Sequence, residues 1–107
     1  MDDLDFRIIN VESENSENQE LIFEGDIGIY NAVEIQNELK KINFNSPNVQ
    51  ITLRKIETMD LASIQIILSL RKSLDDKASK LSIVSELSDD IMSLVRKTGF
   101  EQIMQMK

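Results

Sequence analysis

The chain of 107 residues contains neither histidine nor cysteine. Without imidazole or thiol groups, disulfides, structural zinc, thiol nucleophiles, thioredoxin-type redox chemistry and every triad or phosphorelay built on histidine are excluded. Glycine is scarce, and Gly25, Gly28 and Gly99 build neither a G-x-x-x-x-G-K-[ST] loop nor a G-x-G-x-x-G turn. Carboxylates and lysines remain, so enzyme chemistry is not excluded outright, but no catalytic set stands out and no metal or cofactor is expected. Apolar runs are no longer than Ile66-Ile67-Leu68, too short for a membrane-spanning helix. The first residues, Met1-Asp2-Asp3-Leu4-Asp5, are acidic where a secretory signal needs positive charge, so a cytoplasmic protein is expected.

What is present is an ordinary globular balance, with 41% apolar and 29% charged residues, enough to build one core. The net charge of −7 is unevenly placed. Residues 1–38 carry 11 acidic side chains against the single Arg7, whereas residues 39–107 carry 8 acidic and 11 basic ones. An acidic half and only five aromatic residues (Phe6, Phe23, Tyr30, Phe44 and Phe100) argue against nucleic acid as a partner.

Phe6 to Val11 alternates as a short strand, with Phe6, Ile8 and Val11 inward, and Leu21 to Gly25 reads as a second. The polar stretch Glu12 to Asn18 predicts a long, mobile hairpin tip between them. From Tyr30 the period becomes helical: Ala32, Ile35, Leu39 and Ile42 share a face, and Asn31 is the expected N-cap. Pro47 interrupts, then Val49, Ile51 and Leu53 alternate as a third strand, with Lys55 to Met59 as a connection. A long helix is predicted over residues 61–77 and a fourth strand over 81–84. Ser88 then caps a helix with Asp89 and Asp90 in its first turn, Arg96 and Lys97 in its last, and Gly99 at its close. Residues 100–107 read as a last strand or helical turn. The order β-β-α-β-α-β-α predicts an α/β fold: a mixed sheet of four to five strands with three or four helices packed mainly on one face.

The most informative segment runs from Ile51 to Leu74. Asp60 stands where its helix begins, placed to accept from the free amides of Ala62 or Ser63. Capping alone accounts for that carboxylate. The helix itself carries two apolar stripes. Ile66, Ile67, Leu70, Leu74 and Ala78 form one; Leu61, Ile64 and Leu68 form a second, about 130° away, flanked by Gln65. Either neighbouring helices cover the second stripe, or it is an exposed apolar patch of the kind that docks a protein.

Several pieces of the chain, in order from about Phe6 to Met104, resemble the STAS domains, named from sulfate transporters and anti-sigma factor antagonists. Ile22-Phe23-Glu24-Gly25-Asp26-Ile27 is similar to the family's strand ending in glycine, and Ala32, Ile35 and Leu39 match its first helix. Met59-Asp60-Leu61-Ala62-Ser63-Ile64, followed by Gln65-Ile66-Ile67-Leu68, resembles its Asp-Ser-Ser/Ala-Gly-Leu helix start. Leu81-Ser82-Ile83-Val84 and Gly99-Phe100 fit its later strand and closing segment. The narrower pattern Asp-x-Ala-x-x-Gln-x-Leu, matched here by Asp60, Ala62 and Gln65 with Ile67 for the Leu, is similar to STAS proteins encoded near bacterial chemotaxis or signal-transduction genes.

The resemblance implies that residues 1–107 form one STAS-like domain and a non-catalytic interaction module. Its expected partner is a kinase-like anti-sigma factor or a chemotaxis- or receptor-associated protein, bound through Thr58, Asp60, Leu61, Ile64, Gln65 and Leu68. The family often carries a phosphorylated serine or threonine after the aspartate; here Leu61 has no hydroxyl, Ser63 stands where glycine is usual, and Thr52 replaces an expected aspartate. A phosphate beside Asp60 would eject a docked partner by repulsion, whereas leucine adds apolar area. Ser63 and Thr58 are the alternative phosphoacceptors, each read first as structural. Three other readings stand beside this one: a subunit docked on the ATPase of a membrane transporter, without inserting into the membrane; a nucleotide-binding or carboxylate-based catalytic domain using Asp60 with Glu57 or Asp26; and a homodimer closed by the second stripe.

Overall fold

The computed structural model describes residues 5–99. Strands β1 (Phe6–Glu12) and β2 (Asn18–Asp26) form an antiparallel hairpin. A single 3-10 turn (Ile29–Asn31) leads into α1 (Ala32–Lys40), then β3 (Asn48–Thr58), α2 (Leu61–Asp76), β4 (Lys80–Glu86) and α3 (Asp89–Thr98). The sheet order is β1-β2-β3-β4, with β2, β3 and β4 parallel. This is the mixed α/β sheet read from the sequence, with four strands and three helices among the described residues. The segment 100–107, read as a last strand or turn, lies outside them. None of the described helices is long and apolar enough to cross a membrane.

The core lies on one face of the sheet. Phe6, Leu21, Phe23, Val49, Ile51, Leu53 and Ile83 point into it from the strands. Ile35 of α1, Ile64, Ile66, Ile67, Leu70 and Leu74 of α2 and Val95 of α3 close it from the other side. Each such side chain contributes roughly 1.5–3 kcal/mol by leaving water, so this one layer supplies most of the driving force.

Where structure and sequence pattern differ, the backbone explains it. β3 continues to Thr58, past the expected end at Arg54, because a bulge interrupts its alternation: Lys55 has φ +50°, and burial jumps from Leu53 to Ile56. The bulge lies opposite Gly25, whose φ of +91° suits glycine and where a Cβ would collide with the Asp5 carbonyl oxygen. Val11 is not inward but 47% exposed, since a period of two puts it on the face opposite Phe6 and Ile8. The hairpin tip is drawn in by its own polar groups: Ser13 Oγ and Glu17 N both donate to Asn15 Oδ1, and Ser13 N donates to Asn18 O. Asn31 does not cap α1 with its side chain, which donates to Asp26 O instead. Ala78 falls beyond α2, at φ +61° and exposed, so it leaves the buried stripe. Ser88 and Gly99 bound α3 as expected: Ser88 Oγ accepts from Ile91 N, and Gly99 is left-handed at φ +75°.

The second face of the sheet carries the opposite set of strand residues. There Glu24 of β2 accepts from Arg54 Nε at 2.6 Å and has Arg7 at 3.6 Å. The Arg54 hydrogen bond outweighs partial desolvation and holds the Glu24 carboxyl below its ordinary value of 4.5. A carboxyl whose folded pKa lies below its unfolded one stabilises the fold at pH above about 4.5, and that contribution disappears as pH falls through the folded value. Urea unfolding between neutral pH and the acid range is therefore expected to show a steeper acid loss for the wild type than for Arg54→Met. Parallel curves for the two would remove Glu24 as a cause.

Candidate functional site

The C-terminal ends of β2 and β3 meet at one end of the molecule, and two connections leave from there. Ile27 N donates to Thr58 O at 2.9 Å, fixing the chain after β2 against the end of β3. Asp60 then caps α2 in extended conformation, φ −144° and ψ −169°. Its Oδ1 accepts from Ala62 N at 3.0 Å and Ser63 N at 3.4 Å, while Ser63 Oγ accepts from Asp60 N at 3.2 Å. This is a capping box with serine as its third-position partner.

The same two side chains also reach across to the β2–α1 connection. Ser63 Oγ donates to Ile27 O at 2.5 Å, and Asp60 Oδ2 accepts from Ile29 N at 2.9 Å. Asp26 Oδ1 accepts from Gly28 N at 2.9 Å, turning the chain beneath them. Gly28 sits between the two carboxylates: an added Cβ would stand 2.8 Å from Asp60 Oδ2 and 3.2 Å from Asp26 Oδ1. Asp60 and Asp26 are thus brought together, whereas Glu57 is exposed on β3. Backbone amides occupy both oxygens of Asp60 and one of Asp26, so this pair holds two loops in register. No group of three or more candidate metal ligands occurs among the described residues.

The segments that meet at this clamp carry four exposed apolar side chains. Ile29 is 62% exposed, Tyr30 93%, Val33 68% and Leu61 61%. They belong to the 3-10 turn, the first turn of α1 and the first turn of α2, the segments that the Asp60–Ile29 hydrogen bond ties together. Most large hydrophobics that the described residues expose are in this group; Val11 and Leu94 lie elsewhere.

The residues singled out from the sequence divide. Thr58, Leu61 and Gln65 are exposed, Asp60 is partly so, and Leu68 is half-buried against the core. Ile64 is 5% exposed and belongs to the core, so the second stripe of α2 is not a continuous open patch. Its accessible part is Leu61, with Leu68 partly covered. Ser63 is 2% exposed with its hydroxyl hydrogen committed to Ile27 O, so of the two candidate phosphoacceptors it is the inaccessible one. The pattern missed Ile29, Tyr30 and Val33. The signal was there: Val33 lies about 160° round the helix from buried Ile35, and Ile29-Tyr30 is an apolar pair in a connection after Gly28.

A family model described as the STAS domain matches residues 13–107. The fold is similar to the crystal structure of an anti-sigma factor antagonist from Mycobacterium paratuberculosis, with a TM-score of 0.76 at 12% identity, covering 94% of this chain and 84% of that one. It is also similar to an antisigma-factor antagonist STAS domain from Rhodobacter sphaeroides, with a TM-score of 0.60 at 14% identity over 73% of this chain and 84% of that one. Comparison with curated protein sequences finds no match.

Proposed function

Because the chain belongs to the STAS domain family, we propose that it is a non-catalytic interaction module that grips a signalling protein at the end where Asp60 starts α2. The partner class is that of a kinase-like anti-sigma factor or a chemotaxis- or receptor-associated protein. One observation carries this reading: the exposed Ile29, Tyr30, Val33 and Leu61 stand on the 3-10 turn and the first turns of α1 and α2, segments that one carboxylate ties together. Apolar side chains in water are an unproductive cost unless something covers them, and clustered ones of this size mark docking sites. Tyr30, with an apolar ring and a polar tip, is the residue type that anchors interfaces.

Leu61 decides the mode of binding. At the position where relatives carry a switchable hydroxyl, a leucine offers about 1.5–3 kcal/mol on burial and cannot be turned off by phosphate. Contact is therefore constant rather than gated at that residue. The test is capture of a partner from source-cell lysate by wild type, Leu61→Glu and Tyr30→Glu, with retained proteins identified by mass spectrometry and folding checked by circular dichroism. Each variant is expected to fold and to retain at least about tenfold less partner. Equal recovery by folded variants would overturn the assignment.

A further inference from the structure

We propose that the face of the sheet on which none of the described helices packs is a self-association surface, on which a second copy of this chain docks by a two-fold axis running along the strands. Among the described residues, the apolar side chains that the helices do bury lie in the core on the other face. The free face is ordered by strand register into three rows across β1, β2, β3 and β4. One row is Arg7, Glu24, Arg54 and Glu86; the next is Ile9, Ile22, Thr52 and Val84; the third is Val11, Glu20, Gln50 and Ser82.

The occupant follows from the order of charges. A two-fold axis along the strands reverses each row onto itself. Arg7 then faces Glu86 of the second copy and Glu24 faces Arg54. Ile9 faces Val84 and Glu20 faces Gln50, above Ile22 and Thr52, which the single chain already leaves only 8% and 7% exposed. Every charged residue of the rows meets an opposite or a neutral partner. The other in-plane axis, across the strands, exchanges the outer rows and sets Glu24 against Glu20, two carboxylates. Of these two axes, charge complementarity favours the one along the strands, adding to the pairs that Glu24 already makes with Arg54 and Arg7 within one chain, and sheets packed face to face with nearly aligned strands are a standard geometry.

Size sets the strength. Four strands at about 4.8 Å and three rows spaced about 6.8 Å apart give a footprint of roughly 400 Å² per copy. Stable complexes bury about 800 Å² per partner, so this dimer is weak and concentration-dependent. It has a consequence for the opposite end of the strands. An axis parallel to them points both Asp60 ends the same way, producing a bivalent head whose two sites reach one array of partners together. That consequence rests on the proposed role of the Asp60 end; the dimer does not.

The experiment is sedimentation equilibrium from about 10 μM to about 1 mM, the range in which weak association is read. The mass of the wild type is expected to climb from 12.3 kDa towards twice that value. Arg7→Glu alone sets two carboxylates face to face, and Glu86→Arg alone sets two cations face to face; each is expected to weaken association at least about tenfold. Mixing the two variants restores opposite charges at both ends, and the mixture is expected to associate within about threefold of wild type. Within one chain Arg7 and Glu86 stand on opposite edge strands, so an intrachain contact cannot produce that rescue. Leu61→Glu is expected to associate as the wild type does, which separates this surface from the partner-binding end. A mass that stays at the monomer value throughout, or a mixture no better than the single variants, would overturn the proposal.

Discussion

Replacing Ser63 by aspartate is expected to unfold the protein or lower its melting temperature by roughly 15–30 °C, while Thr58→Asp leaves it near the wild-type value. Ser63 is buried, its Oγ lies 3.5 Å from Asp60 Oδ1, and it already serves Ile27 O and Asp60 N. A second carboxylate there would stand beside Asp60, and an unpaired buried charge costs about 3–5 kcal/mol. Ser63→Ala is the milder case, leaving two backbone groups short of a partner at about 1–3 kcal/mol. Thr58 is exposed, so the same added charge stays in water. Thermal unfolding of the three variants reads the difference. A Ser63→Asp protein that melts with the wild type would mean that the hydroxyl is not part of the clamp. With the clamp intact, acidic mimicry at Ser63 reports loss of structure, and only Thr58 is accessible for modification of the two.

That contrast shows what the linear pattern carries and what it leaves out. Capping is local chemistry. Asp60 before an apolar helix, and Ser88 before Asp89-Asp90, were both legible because donor and acceptor lie within three residues of each other. Strand alternation was legible up to Leu53 and then failed, because the bulge at Lys55 adds a residue that only its pairing with β2 requires. Burial of Ile64 could not be read from helix periodicity: the helix presents both stripes, and which is covered depends on how it sits against the core. Asn31 has the right chemistry for a cap, yet it spends its amide on Asp26 O because a 3-10 turn precedes the helix. The exposed group was half legible. Leu61 stood out through the resemblance; Ile29 and Tyr30 become its neighbours only through the bond from Ile29 N to Asp60, across 31 positions of chain.

The same long-range bond makes Gly28→Val the second variant of large effect. The backbone at Gly28, φ −81°, admits any residue, so the obstacle is space. A Cβ would stand 2.8 Å from Asp60 Oδ2 and 3.1 Å from Thr58 Cγ2, and valine adds two methyl groups on a stiff torsion. The Asp60 carboxylate must swing away, releasing Ile29 N and the cap of α2. A lost cap costs about 0.5–2 kcal/mol and an overpacked site about 1–3 kcal/mol, together roughly 1.5–5 kcal/mol in urea unfolding. The loss should be local before it is global: amide hydrogens of Ile29 and Ala62 are expected to exchange faster, while those in the middle of β3 change only with overall stability. Partner capture should fall with it, since Ile29, Tyr30 and Leu61 no longer share one rigid frame. Gly28→Ala, with a single carbon against the movable end of a side chain, is expected to fall between. If the valine variant keeps both wild-type stability and slow exchange at Ile29, the carboxylate does not hold the two connections together, and the apolar group would have to be positioned by core packing alone.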